Sequence, residues 1–308
     1  MIKKYKFEND QLVLSEIGDN PVFVVINPND EEKKWLLENF KLDEHNLASA
    51  FDPEEPSRLE FEPDHLEMIL KRPKNYSSKD HFLFKVSSMG VFLFKDKLIL
   101  ALSEDINMFS GKYFKHVSGL REVFLKLLYN SIFHFMEHLK VINMIAEEIE
   151  QKINASMENK HLLNLFTLEK SLVYYLNAIN ANAYVIDRLK HNTEKIGLSQ
   201  RSVEFLDDII IENNQAMRQA EIYSNILAGL MDARASIVSN NLNVMMKNLN
   251  AVVIAVAVPS FFAGVGGMSE LCTVTGITNP RLAFLAFVCV MSLLGLLTYY
   301  IIKRAEKH

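Results

Sequence analysis

The chain has 308 residues, 49% hydrophobic and 23% charged, with a net charge of −5. That mild acidic balance lacks the basic excess of a nucleic-acid binder, so no nucleic-acid partner is expected. Two cysteines, Cys272 and Cys289, exclude a disulfide framework and a four-ligand zinc site; Cys289, inside an uncharged run, reads as a small apolar filler.

The opening MIKKYKFEND lacks the apolar core of a secretory signal, and no cleaved leader is expected. Residues 1–115 read as a cytoplasmic α/β domain with a largely antiparallel or mixed sheet. Its predicted strands are PVFVVI (21–26), HFLFKV (81–86), GVFLFKD (90–96) and KLILAL (97–102), all rich in β-branched and aromatic residues. NPNDEEKKWLLENF (27–40) predicts a helix, with Asn/Asp caps and acids in its first turn. The domain contains neither a Gly-rich phosphate loop nor a nucleophile elbow. No catalytic residue and no cofactor are expected.

Residues 116–248 read as a cytoplasmic helical stalk. The stretch 119–197 is apolar-periodic and free of proline, and a break near 154–161 predicts two antiparallel helices. A third helix starts after Gly197 with Ser199 as its cap. If continuous over 199–268 it would be about 105 Å long. His134-Phe-Met-Glu137-His138 matches the H-x-x-E-H pattern of inverted zinc peptidases. No distal third ligand accompanies it, and these positions read as polar sites on a stalk helix.

Residues 249–308 read as a two-helix transmembrane hairpin with a basic tail. Between positions 247 and 281 there is no Lys or Arg and one acid, Glu270, which falls in the expected outer loop. LAFLAFVCVMSLLGLLTYYII (282–302) carries no charge and is long enough to cross roughly 30 Å of hydrocarbon. The less uniform stretch 249–268 holds Pro259, Gly264, Gly266 and Gly267, which membrane helices tolerate where neighbours or a cavity satisfy the freed backbone groups. Lys303, Arg304 and Lys307 follow the second span, whereas Arg281 is the only basic residue on the loop side. The positive-inside bias therefore predicts that both termini are cytoplasmic.

Along the third helix, Asp232, Ser236, Ser239, Asn243, Met246, Asn250, Val253 and Ala257 are spaced by alternating steps of four and three. Such a repeat keeps one helix face directed at a bundle axis. Most of these residues are small or polar, where an ordinary coiled coil would be apolar. Polar groups at membrane depth are costly unless they face protein or a water-filled cavity, and one helix cannot enclose a cavity. Two readings fit the spacing: a pore lined by several copies, and hydrogen bonding between membrane helices.

The segment Ser236-Ile-Val-Ser239-Asn240-Asn-Leu-Asn243-Val-Met-Met246-Lys247-Asn-Leu249 resembles the S-x-V-S-N-x-x-N-x-x-M-K-x-L pattern ahead of the first span of the CorA-type magnesium and divalent-cation transporters. Pro259-Ser-Phe-Phe-Ala263-Gly264-Val-Gly-Gly267-Met268 is similar to the P-T-x-x-A-G-x-Y-G-M-N segment that ends that span. The resemblance covers nearly the whole chain and implies a homopentamer in the cell (inner) membrane, with the first spans lining one pore and the second spans outside. It implies an acidic ring at Asp232 and a polar ring at Asn243 that contacts Mg²⁺ through its hydration waters. Met246 and Leu249 would form a narrow part of the path, and Gly267 and Met268 would shape the outer mouth.

The chain departs from the family where Gly-Met-Asn becomes Gly267-Met268-Ser269, and where Gly266 replaces an aromatic. Ser269 offers a shorter hydroxyl to the hydration waters than an Asn amide would. The expected activity is Mg²⁺ influx, with Co²⁺ or Ni²⁺ as substitutes. A Zn²⁺ transporter similar to ZntB and a non-conducting membrane-anchored sensor or interaction protein are the alternatives. The stripe holds no His or Cys, the ligands that Zn²⁺ favours.

Overall fold

The computed structural model describes every residue except 16, 19, 78, 79, 110, 111, 156–158, 267–279 and 306–308. The chain divides into two compact units, Met1–Met231 and Asp232–His308.

The first unit is built on a seven-stranded mixed sheet. Its strands are β1 (Ile2–Glu8), β2 (Gln11–Leu14), β3 (Val22–Ile26), β4 (Arg58–Phe61), β5 (His65–Pro73), β6 (Val86–Phe94) and β7 (Leu98–Leu102), in the order β2-β1-β3-β7-β6-β5-β4. Among the described residues the β3–β7 pair is parallel, as Val24 meeting Leu100 shows, and the other pairings are antiparallel. The sequence expectation of a mixed sheet holds.

Strand alternation sends neighbouring side chains to two different cores. Val22, Val24, Met68, Leu70, Val91 and Leu100 face the larger one. Phe23, Val25, Phe92, Ile99 and Ala101 face the smaller one, under α1 (Asp30–Phe40) and α2 (Glu44–Ser49). α1 begins where the sequence indicates. Asn29 accepts from the Glu32 amide at 2.8 Å, and Glu32 accepts from the Asn29 amide at 3.0 Å, a reciprocal capping box.

The larger core is closed by α3 (Leu120–Ala155), α4 (Asn159–Lys190) and the first part of α6 (Gln200–Gly266), with the short α5 (Thr193–Ile196) between α4 and α6. Ser199 caps α6 by accepting from the Ser202 amide at 3.2 Å. α6 is a single helix of 67 residues. The second unit pairs its C-terminal part with α7 (Pro280–Ala305).

One predicted strand fails. HFLFKV is irregular until Val86, because His81 and Phe82 take positive φ values of 48° and 67°, which break extended pairing. The Phe84 amide donates instead to Ser171 Oγ on α4, at 3.0 Å.

Asn182 of α4 performs a related service for the sheet. β4 ends at Arg58, opposite Ile69, and so leaves the backbone of Lys71 without a strand partner on that side. The Asn182 amide fills the gap: its Oδ1 accepts from the Lys71 amide at 2.8 Å, and its Nδ2 donates to the Lys71 carbonyl at 2.7 Å. Buried backbone groups must be paired, and here a helix side chain completes the ladder.

Candidate functional site

In the second unit, Asp232, Ser236, Ser239, Asn243, Met246, Leu249, Asn250, Val253 and Ala257 all lie on α6, and all are exposed on this chain. The covered side of the helix is elsewhere. Ala251 is 2% exposed, and Ala255, Val258 and Pro259 are half-buried. At 100° per residue this covered side lies roughly 135° around the helix from the centre of the stripe.

α7 reaches the covered side. A Cβ added at Gly295 would stand 3.1 Å from the Ala255 carbonyl oxygen and 3.3 Å from the Pro259 ring. Pro259 has no N–H to offer the carbonyl four residues earlier, so the Ala255 oxygen loses its helical partner. Gly295 lets the α7 backbone approach that freed oxygen closely. The sequence displayed both residues, but their juxtaposition needed the packing of two helices.

Hydroxyls in the hairpin turn back on their own helices. Ser260 Oγ donates to the Val256 carbonyl and Thr298 Oγ1 to the Leu294 carbonyl, both at 2.8 Å. Among the described residues, none of Ser236, Ser239, Asn243 or Asn250 hydrogen-bonds to α7. Cys289, expected as a filler, is exposed. The mouth residues Gly267, Met268 and Ser269 and the loop acid Glu270 lie outside the described residues; Gly266 is the last residue of α6.

Among the described residues, two stretches are long and apolar enough to cross a membrane, one within α6 and Phe284–Ala305 in α7. Only 6% and 0% of them are buried within the chain, which separates them from the core helices of a soluble protein. Among the described residues no group of three or more His, Cys, Asp or Glu is placed to hold a metal ion.

The H-x-x-E-H residues separate. Glu137 is exposed, whereas His138 is buried on the inner side of α3. His134 Nε2 and His138 Nε2 share a hydrogen bond of 3.0 Å, and His138 Nδ1 meets the Tyr175 hydroxyl of α4 at 2.5 Å. The two rings are thus structural partners rather than plain polar positions on a stalk. Burial, then the charge of Arg72, pushes His134 down to about 4; burial, then His134, does the same to His138.

The comparisons with known proteins agree with this architecture. The chain is 24% identical over 293 residues to the cobalt/magnesium transport protein CorA of Methanocaldococcus jannaschii, covering 91% of this chain and 88% of that protein. It superposes on the complete structure of the CorA magnesium transporter from the same organism with a TM-score of 0.77 at 21% identity, covering 98% of this chain and 96% of the other. The cytoplasmic domain of ZntB from Vibrio parahaemolyticus matches with a TM-score of 0.61 at 13% identity, covering 77% of this chain and 98% of that domain. The family model described as CorA-like Mg²⁺ transporter protein matches residues 23–304. A membrane protein with two candidate spans, this chain belongs to the CorA-like Mg²⁺ transporter family.

Proposed function

We propose that the chain assembles as a homopentamer and passes Mg²⁺, with Co²⁺ or Ni²⁺ as substitutes, through a path lined by the apolar part of α6. The observation that carries this reading is the face on which the stripe lies. Ser236, Ser239, Asn243 and Asn250 are exposed on the side of α6 away from α7. Polar groups bare to hydrocarbon are costly, and several copies of the helix would relieve that cost by enclosing water.

In this reading Asp232 forms an acidic ring and Asn243 a ring that contacts hydration waters, while Met246 and Leu249 narrow the path. Mg²⁺ sheds its waters reluctantly, which suits amide and hydroxyl walls better than a cage of carboxylates. In this reading both termini lie in the cytoplasm, which the positive-inside bias of Lys303, Arg304 and Lys307 supports. The membrane potential then drives entry by roughly 2.3 kcal/mol per elementary charge per 100 mV.

A Zn²⁺-transporting reading draws on the departures at Gly266 and Ser269, and is opposed by a stripe without His or Cys. Uptake by purified protein in liposomes, with Mg²⁺ and Zn²⁺ compared, tests both. Mg²⁺ uptake that Ser269→Asn raises supports the proposal. Zn²⁺ uptake without Mg²⁺ uptake replaces it with the second reading. Uptake of neither ion, by wild type or by Ser269→Asn, would make the chain a non-conducting membrane protein.

A further inference from the structure

Between β5, the segment that follows β7, and α3 lies a cavity of about 340 Å³, lined by Arg72, Asn75, Asn107, Asn130, Ser131 and His134 with two apolar neighbours. Its polar wall is made of amides, a hydroxyl, an imidazole and a guanidinium. Among the described lining residues there is no carboxylate.

Arg72 is the unusual member. Its side chain is 2% exposed, the depth of a core residue. Nη1 donates to the Pro73 carbonyl at 3.0 Å, but Nε and Nη2 are buried without a hydrogen-bond partner. The nearest anion, Glu104, stands 3.5 Å from Nη2, too long for a charge-assisted hydrogen bond. Glu104 is also shared, since Lys74 holds its other oxygen at 2.7 Å. Arg72, Lys74 and Glu104 therefore leave one positive charge in excess. A buried guanidinium with two unused donors is costly unless something accepts from them.

The imidazole beside it belongs to a hydrogen-bonded relay. His134 Nε2 meets His138 Nε2 at 3.0 Å, and His138 Nδ1 meets the Tyr175 hydroxyl at 2.5 Å. In the tautomer in which Tyr175 donates to His138, His134 carries its proton on Nδ1, the ring nitrogen the relay leaves unused.

We infer that this cavity binds a small oxyanion, a carboxylate or phosphate group, on Nε and Nη2 of Arg72. The Nε–Nη2 edge of a guanidinium presents two parallel donors spaced for two oxygens of one such group. Asn130 supplies a further donor on the α3 side, and His134 supplies another in the tautomer with its proton on Nδ1. Asn75 and Asn107 stand at the exposed rim, through which a ligand enters.

The test is equilibrium binding of inorganic phosphate and, separately, citrate to the full-length protein in detergent. Wild type should bind one of the two saturably, and which one identifies the group. Arg72→Leu should weaken that binding about tenfold or more. Because a buried arginine can also matter for folding, Asn130→Asp is the second variant. It sits on the half-buried surface of α3, adds a repelling charge to the wall, and should weaken binding to a similar degree. Lys170→Glu serves as the control, since Lys170 lines a separate groove that contains Lys71, Lys74 and Lys85. The inference is overturned if wild type binds neither probe saturably. It is also overturned if Asn130→Asp binds as wild type does, or if Lys170→Glu alone abolishes binding.

Discussion

Ser131, His134 and His138 on α3 have the same three-then-four spacing as Ser236, Ser239 and Asn243 on α6, yet the two sets meet opposite surroundings. On α3 the polar groups turn inward and are engaged: Ser131 Oγ donates to the Lys71 carbonyl at 3.2 Å, and the histidines bond each other and Tyr175. On α6 the corresponding groups are exposed on the single chain. Spacing tells which residues share a face. What covers that face is decided by charge and apolarity elsewhere on the helix, and α6 runs into a stretch with no charge at all.

The largest effect expected from this contrast falls on transport. Asn243→Leu should lower Mg²⁺ uptake about tenfold or more while leaving the unfolding temperature unchanged or raised, because an exposed amide on one helix contributes little to the fold of the chain. A variant that instead unfolds the protein would show that Asn243 is a packing residue.

Asn182→Ala should do the reverse. It strips the Lys71 amide of its partner and leaves the carbonyl to Ser131 alone, and chemical denaturation should report a loss of about 1–3 kcal/mol. An unchanged denaturation midpoint would mean that water takes over those bonds.

The histidine pair makes a related prediction in pH. Both rings sit at about 4 in the folded protein, below their ordinary value of 6.5. The unfolded chain therefore takes up protons first as pH falls. The stability associated with the neutral pair is complete above about pH 6.5 and is lost progressively down to about 4, on the order of 3 kcal/mol for each ring. Replacing both rings, His134→Gln with His138→Gln, should flatten that slope. A slope unchanged by the double variant would assign it to other groups.

The smallest expected effect sharpens the geometry of the hairpin. Gly295→Ala places a methyl 3.1 Å from the Ala255 oxygen and should lower the thermal stability of the solubilised protein by about 1 kcal/mol or less. In a background without the native cysteines, Asn243→Cys should react with a water-soluble thiol reagent faster than Ala251→Cys, which lies on the covered side. Equal rates would erase the distinction between the two faces.

Several of these features were legible in the residues alone. The capping pair Asn29 and Glu32, the apolar runs of β3 and β7, and the break between α3 and α4 all appear where local chemistry puts them. The stripe was legible for the same reason, since a repeat of three and four survives whatever packs against it. β5 was not. HLEMILKRP mixes His65, Glu67, Lys71 and Arg72 with apolar residues, and the structure buries all nine positions. Glu67 and Lys71 draw on partners distant in sequence: Glu67 accepts from Asn46 Nδ2, and Ser88 Oγ accepts from Lys71 Nζ at 3.0 Å. The site behind Arg72 was equally hidden, because its wall is drawn from β5, the segment after β7, and α3.

The bond between Asn182 and Lys71 joins residues 111 positions apart. The ribosome delivers the chain from its N-terminus, so every strand of the sheet is made before Asn182 exists. During that interval the strand that carries Lys71 extends past its short neighbour β4 with its amide unclaimed, even once Ser131 of α3 can reach its carbonyl. Such an open edge is a template for another strand. Contacts of long sequence separation also form slowly. The nascent sheet therefore passes through a window, closed only when α4 arrives, in which two newly made chains can pair with each other at Lys71.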